Sequence, residues 1–423
     1  MLSQLLQQPN VGRVYCLIRG SEPLSRLQQS LQDRHLSVPN SENLYVLTSD
    51  LSRPSLGLDD TTYNDLLAQT THIIHCAWPV NFQLALSSFE ASLKGLQNLL
   101  QLSLDVSSSR PAHFIFCSSI SAALGTPSPA RIPELPISDL EQVSETGYAQ
   151  SKLVSEHIVQ AAVENAGVNA TILRIGQVVG DTKTGVWNDS EAFPLIIRSA
   201  VSMGILPELS STCEWLPVDT LAKTIIQIGG ISLDHGPRTN GFRTGRKESL
   251  KVNGSTTTSN SQLVYNLVSP HSFSWTSDLL PALSSAGLSF RPKTLATWLH
   301  QLHKLSSTQS NSSGNDTNRQ KAEPAPTAAA DPNQNPAIKL VGFFEESFQD
   351  NSEAGDSGIR FETGEAENMA PALHDAPLVI ESGLLKKMVD AWMEKWKGQE
   401  VKRARSSDSV DTDSKRAKMQ NGH

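Results

Sequence analysis

Short, almost wholly apolar runs alternate with amphipathic stretches along the first half of this chain. Val14-Tyr15-Cys16-Leu17-Ile18 stops at Arg19-Gly20, and Leu44-Tyr45-Val46-Leu47-Thr48 runs into Ser49-Asp50-Leu51. Ile73-Ile74-His75-Cys76-Ala77, then His113-Phe114-Ile115-Phe116-Cys117 ahead of Ser118-Ser119, then Ala170-Thr171-Ile172-Leu173-Arg174-Ile175 repeat the pattern. Such runs, without polar alternation, suit parallel strands covered on both faces. Between them the spacing of apolar positions predicts helices at residues 2–8, from Pro23 to about Arg34, at 62–69, from Leu84 to about Leu104, and through Tyr148 to about Glu164, closed by Gly167. Strands alternating with helices predict an α/β fold with a doubly wound parallel sheet. In such sheets the ligand lies beyond the carboxyl ends of the strands. Arg19, Asp50, Ala77 and Ser119 all fall at that edge.

The second half is less regular. Residues 233–262 are dominated by Asn, Gly, Ser and Thr and read as a long polar loop. A strand over residues 263–268 follows, then helices over 275–286 and 295–305. Residues 306–335, rich in Ser, Asn, Ala and Pro, read as a disordered insert. Structure is expected to resume at Ile338-Lys339-Leu340-Val341-Gly342-Phe343-Phe344. It ends in a helix over 383–397 whose Leu384, Leu385, Met388, Trp392 and Trp396 form one apolar stripe. The expected organisation is therefore a sheet domain over 1–232, a smaller, mainly helical subdomain built from 263–305 and 336–398, and a disordered charged tail over 399–423.

Composition narrows the function classes. The 423 residues carry a net charge of −8 with a pI near 5.8, so no global basic field points to nucleic acid. Cys16, Cys76, Cys117 and Cys213 show no C-x-x-C spacing, and the first three sit in apolar runs where cysteine behaves as a small core residue. A reduced intracellular setting, with neither disulfides nor a metal site, is expected. No apolar run approaches the ~18–20 residues that span a bilayer, and Met1-Leu2-Ser3-Gln4-Leu5-Leu6 lacks a signal-peptide pattern. Lys402-Arg403-Ala404-Arg405 with Lys415-Arg416-Ala417-Lys418 resembles a two-part nuclear signal, but a solvated tail on a cytoplasmic protein is the expectation.

The chemistry centres on Tyr148 and Lys152, one helical turn apart on the same face. An ammonium beside a phenol favours the phenolate, so such a tyrosine can exchange a proton near neutral pH although its free pKa is about 10. His75 reads as a core histidine and Trp187 and Trp215 as core or pocket wall. Asp50 has an alternative as a helix cap.

With these elements placed, the sequence resembles the extended short-chain dehydrogenase/reductase superfamily, and within it the thioester reductase (NAD-binding, male-sterility-like) domains that end fungal peptide-synthetase-like and adenylate-forming reductases. The resemblance rests on Val14–Arg19, Ser49-Asp50-Leu51, Ile73–Ala77 leading to Val80-Asn81-Phe82, Phe116–Ser119, the Tyr148/Lys152 pair and Leu173-Arg174-Ile175-Gly176-Gln177. Gly180-Asp181, Gly185-Val186-Trp187-Asn188 and Trp215-Leu216-Pro217-Val218-Asp219 complete it, in the family's order.

The resemblance implies a Rossmann-type sheet and NADPH-dependent reduction of an acyl thioester to an aldehyde, and on to an alcohol in some members. The thioester would ride on a phosphopantetheine carrier arriving in trans. It implies Ser119 as the hydrogen-bond donor to the substrate oxygen, Tyr148 as proton donor, and Lys152 as the group that holds the nicotinamide ribose. Arg19 would pair with the 2′-phosphate of NADP(H), Asp50 and Leu51 would line the adenine pocket, and Ala77 would contact the cofactor. Family members also place a first strand and a glycine-rich phosphate turn ahead of the stretch matching Leu2–Gln8, whereas the only glycine here before Arg19 is Gly12. An N-terminally truncated reductase, its sheet lacking the first strand and leaving open edges on the neighbours, is the expectation. The alternatives are a non-catalytic docking protein on the same fold, or a sister enzyme acting on sugar nucleotides or hydroxysteroids.

Overall fold

A computed structural model describes residues 1–37, 42–232, 262–310, 338 and 358–397. The expected polar loop over 233–262, the insert over 306–335, the run Ile338–Phe344 and the tail lie wholly or mostly outside the described residues. These fall in two compact units. The first draws on Met1–Val178, Glu214–His271 and Ser357–Ala376, the second on Val179–Cys213, Ser272–Asp356 and Pro377–His423.

Within the first unit the apolar runs form parallel strands as the pattern predicts. β1 (Val14–Ile18) pairs with β2 (Leu44–Thr48) from Val14↔Leu44 to Ile18↔Thr48. A separate sheet takes β3 (His72–His75), β4 (His113–Ser119), β6 (Ala170–Ile175) and β7 (Val264–Leu267), in the spatial order β7-β6-β4-β3. All three of its pairings are parallel. A short strand between β4 and β6, β5 (Ala130–Ile132), pairs with β8 (Ile359–Phe361). Among the described residues β1 pairs only with β2, and β3 only with β4, so each keeps one open edge.

Both faces of the larger sheet are covered, by helices that follow α1 (Leu2–Leu5), α2 (Pro23–Gln32) and α3 (Asp60–Gln69) along the chain. On one face Phe114, Phe116 and Ile172 pack against Leu96, Leu99 and Leu100 of α4 (Glu90–Asp105) and Val159 of α5 (Gly147–Ala166). On the other, Ile115, Cys117, Leu173 and Leu267 meet Leu221, Ile225 and Ile228 of α7 (Val218–Ile228), and Ala366, Ala370 and Leu373. This is the two-sided cover that makes parallel strands read as continuous apolar runs. α7 and α6 (Ala192–Ser202) are not among the helices named from the sequence, although Leu221, Ala222, Ile225 and Ile228 of α7 recur at helical spacing and are buried.

α5 carries the Tyr148/Lys152 pair. It starts at Thr146, whose Oγ1 accepts from the Ala149 N–H at 3.2 Å, and ends at Gly167 in the left-handed region (φ 73°). Gly147 is fixed by close approach: a Cβ there would lie 2.3 Å from the Leu84 carbonyl oxygen and 2.5 Å from the Leu86 nitrogen. Gly147→Ala is therefore expected to destabilise the chain by about 1–3 kcal/mol, the usual cost of overpacking. Denaturant unfolding checks this, and an unchanged midpoint would show that the 84–86 loop yields freely.

In the second unit, Ile205–Glu208 pairs in parallel with Arg291–Thr294. The expected C-terminal helix is present over 384–397, with Leu384, Leu385, Met388, Trp392 and Trp396 all buried as the stripe requires. Trp187 packs on Trp392 at 5.6 Å between centroids, and Trp392 stacks on Trp396 at 6.0 Å. Trp187 and Trp215 are both core residues, 6 % and 1 % exposed.

Candidate active site

Tyr148 leaves the first turn of α5 with its ring edge-on to Phe82 at 5.1 Å and to Phe89 at 6.4 Å. Ser119, the last residue of β4, stands beside it, near enough for a hydrogen-bonding influence that lowers the Tyr148 pKa. The Ser119 Oγ receives hydrogen bonds from the Ser121 N–H at 3.2 Å and the Ser121 hydroxyl at 3.0 Å, which orient it. One turn along the helix, Lys152 is 3 % exposed and donates from Nζ to the Cys117 carbonyl at 2.7 Å. Its ammonium lies 4.6 Å from the Trp78 ring centroid, 4.9 Å from that of Phe116 and 5.8 Å from that of Tyr148. Trp78 is held in turn by donating its indole N–H to Ser151 at 3.0 Å. The structure thus brings Ser119, Tyr148 and Lys152 together at the carboxyl edge of β4.

The electrostatics differ from the sequence expectation in one respect. Burial raises the Tyr148 pKa above its ordinary value, with only the neighbouring Ser119 hydroxyl pulling it down. Burial also pulls Lys152 down to about 8, against the opposing pull of Cys117, Cys76 and Glu156. Desolvation of both groups outweighs their mutual influence, so Tyr148 stays a phenol, a proton donor rather than a base, at neutral pH.

Beneath these groups lies a network that sequence reasoning missed. Glu156, the residue one turn after Lys152, accepts from the Ser118 hydroxyl at 2.5 Å and from Arg174 Nη2 at 2.8 Å and Nε at 3.1 Å. Arg174 is fully buried and Glu156 is 4 % exposed. The pair therefore ties α5 to β4 and β6 under the site. Its members stand 18 and 38 positions apart in sequence, so no local periodicity points to it.

The remaining candidates sit at neighbouring strand ends. Arg19 follows β1 with an exposed guanidinium that forms no ion pair among the described residues, and it is near enough to Asp50 to lower that carboxyl's pKa. The larger causes are the hydrogen bonding of Asp50 to Ser52, at 2.6 Å to the hydroxyl and 3.1 Å to the N–H, and the Arg53 guanidinium, paired with it at 3.3 Å. Asp50 thus closes a turn after β2 rather than capping a helix. Leu51 packs into the core, and its carbonyl accepts from Asn98 at 2.8 Å. Ala77, just past β3, is exposed. His75 is buried among Trp78, Phe114 and Phe116, yet its Nε2 has no partner among the described residues, and burial pulls its pKa to about 4. Cys76 is not a core residue as expected; it is exposed.

A nicotinamide dinucleotide fits this donor set at its two ends. Lys152 has donors left after its one hydrogen bond to Cys117, and Arg19, at the carboxyl edge of β1, forms no ion pair among the described residues. Between them the described residues place no glycine-rich strand-to-helix turn.

Parallel strands under helices on both faces define a doubly wound α/β fold of Rossmann type. A sequence model of the male sterility protein family, designated NAD-binding, matches residues 1–225, and the chain belongs to this family. It is 35% identical over 234 residues to the adenylate-forming reductase stbB of Stachybotrys bisbyi, covering 54% of this chain and 22% of that protein. It is 31% identical over 358 residues to a carboxylic acid reductase of Neurospora crassa, covering 83% of this chain and 29% of that one. The chain thus spans less than a third of the length of these relatives. Among solved structures, the terminal R domain from the myxalamid PKS-NRPS pathway superimposes with a TM-score of 0.69 at 22% identity, over 93% of this chain and 88% of that one. Among the described residues no helix is long and apolar enough to cross a membrane.

Proposed function

We propose that this chain is an NADPH-dependent reductase that takes an acyl thioester on a phosphopantetheine carrier to an aldehyde. The observation that carries the reading is the convergence of Ser119, Tyr148 and Lys152 at the carboxyl edge of β4. Family membership and the reductase names of the relatives support it. NADPH supplies the hydride when bound. Ser119 and Tyr148 direct hydroxyl groups at the substrate oxygen, where negative charge develops, and Tyr148 gives it a proton. Lys152, whose ammonium donates to the Cys117 carbonyl, would hold the nicotinamide ribose. Arg19 would pair with the 2′-phosphate, Asp50 and Leu51 would line the adenine pocket, and Ala77 would contact the cofactor. Phe82, 46 % exposed beside Tyr148, supplies an apolar wall for the acyl chain.

The direct test mixes the chain with NADPH and an acyl-pantetheine thioester and follows cofactor absorbance together with the aldehyde formed. Consumption of NADPH with stoichiometric aldehyde supports the reading, and none at saturating substrate removes it. A docking protein on the same fold is the second reading, favoured by the open edges of β1 and β3. Calorimetric binding of NADPH in the micromolar range or tighter counts against it.

Lys152 gives the reaction an alkaline limit. Its cation is the acting form, so kcat/KM is expected to fall as pH rises through about 8, where burial has placed its pKa. Tyr148, raised above its ordinary value, stays protonated across that range. A pH–rate profile checks this, and a limb that stays in place in Lys152→Arg would assign it elsewhere.

A further inference from the structure

β3 and β4 run parallel in a register that pairs His72 with His113 and His75 with Phe116. One step on, the same register sets Cys76 opposite Cys117. Adjacent strands lie about 4.8 Å apart, inside the Cα separation of roughly 4.4–6.8 Å over which a disulfide closes. Side chains alternate between the faces of a sheet. Ile74, Ile115 and Cys117 pack in one apolar cluster, and the alternation places Cys76, two residues after Ile74, on that same face. There the two thiols are near enough to shift each other's pKa, Cys76 down and Cys117 up.

The pair is unequal in access and in acidity. Cys76 is exposed, whereas Cys117 is 7 % exposed. Cys117, then the Met1 ammonium and Lys152, draw Cys76 down to about 7 against the effect of burial, while the contact with Cys76 and burial push Cys117 up. An accessible thiolate backed by a buried thiol is the arrangement of an attacking and a resolving sulfur. Cys16 is half-buried with a raised pKa, and Cys213 is 3 % exposed, so neither competes for a reagent in solvent.

We propose that Cys76 and Cys117 form a dithiol–disulfide couple, Cys76 attacking and Cys117 resolving, with a low-molecular-weight disulfide of the glutathione type as oxidant. The Cys76 thiolate attacks one sulfur of the oxidant; the S–S bond of the oxidant breaks and its first half leaves as a thiolate. Cys117 gives its proton to solvent and attacks the Cys76 sulfur, which breaks the mixed disulfide and expels the second half as a thiolate. The two cysteines lose two electrons, the oxidant gains them, and two small thiols are released on protonation. Cys76 lies just past the end of β3, so the bridge closes without breaking a pairing between β3 and β4. The couple stands apart from the proposed reduction of thioesters and does not depend on it.

The test treats the full chain with oxidised glutathione at neutral pH, digests it without reduction and maps the sulfurs by mass spectrometry. The expected product is the Cys76–Cys117 cross-link, removed by dithiothreitol. Cys117→Ser should convert it to a lasting glutathione adduct at Cys76, and Cys76→Ser should leave Cys117 unmodified. A Cys16–Cys76 bridge, an adduct that persists at Cys76 in the unsubstituted chain, or an unreactive Cys76 would each overturn the proposal. Should the variants fail to fold, the cross-link map of the unsubstituted chain decides alone.

Discussion

Tyr148→Phe is expected to lower kcat for acyl-thioester reduction by about 10²- to 10⁴-fold, the range a positioned proton donor contributes. The substitution removes one hydroxyl and keeps the ring, so the edge-on contacts with Phe82 and Phe89 survive. The folded chain should therefore unfold at nearly the same denaturant concentration, losing only the contact with Ser119. KM should move little, because the apolar wall beside the ring is intact. Ser119→Ala is expected to cost less, since Tyr148 still donates to the same oxygen. Steady-state kinetics beside a denaturation curve separate the two contributions. A Tyr148→Phe chain that turns over at the unsubstituted rate would take the proton-donor role away from Tyr148.

Much of this site is legible without coordinates. The runs at Val14–Ile18, Leu44–Thr48 and Ala170–Ile175 are strands to the residue; the last is buried nearly throughout, the first two only in part, yet each is bounded by polar or glycine residues that mark its ends. The i, i+4 spacing of Tyr148 and Lys152 places them on one helical face, and the strand-end positions of Ser119, Arg19, Asp50 and Ala77 follow once the sheet is read as parallel. What escaped depends on distance along the chain. β5 is a strand only through Ile359–Phe361, far away in sequence. Gly147 reads as an ordinary helix-start residue until the 84–86 backbone is seen pressed against it.

The sign of the Tyr148 shift escaped for a related reason. Spacing gives proximity to a cation but not the degree of desolvation, and here desolvation is the larger effect. His75 shows the same limit: its place in an apolar strand predicts burial, whereas the missing partner at Nε2 is a three-dimensional fact. Cys76 was misplaced because an apolar run predicts cover on both faces, and β3 keeps one edge open.

The largest expected effect on stability falls on the buried pair beneath the site. Arg174 and Glu156 are almost wholly removed from water, and each satisfies the other through three contacts between 2.8 and 3.2 Å. Glu156→Ala leaves a buried guanidinium without its counter-charge and strips the Ser118 hydroxyl of its acceptor. The expected loss is about 3–5 kcal/mol of unfolding free energy. Lys386→Ala, which removes a pair exposed on the surface with Asp390, should change little by comparison. Replacing both buried partners with methionine should recover most of the stability, since apolar groups of similar volume need no counter-charge. In that double variant α5 and β4 lose the charged tie below Lys152 and Ser119, so kcat should remain depressed while the denaturant midpoint returns. Urea unfolding of the single and double variants decides the energetic half. If Glu156→Ala costs no more than Lys386→Ala, the pair is not what fixes α5 against the sheet.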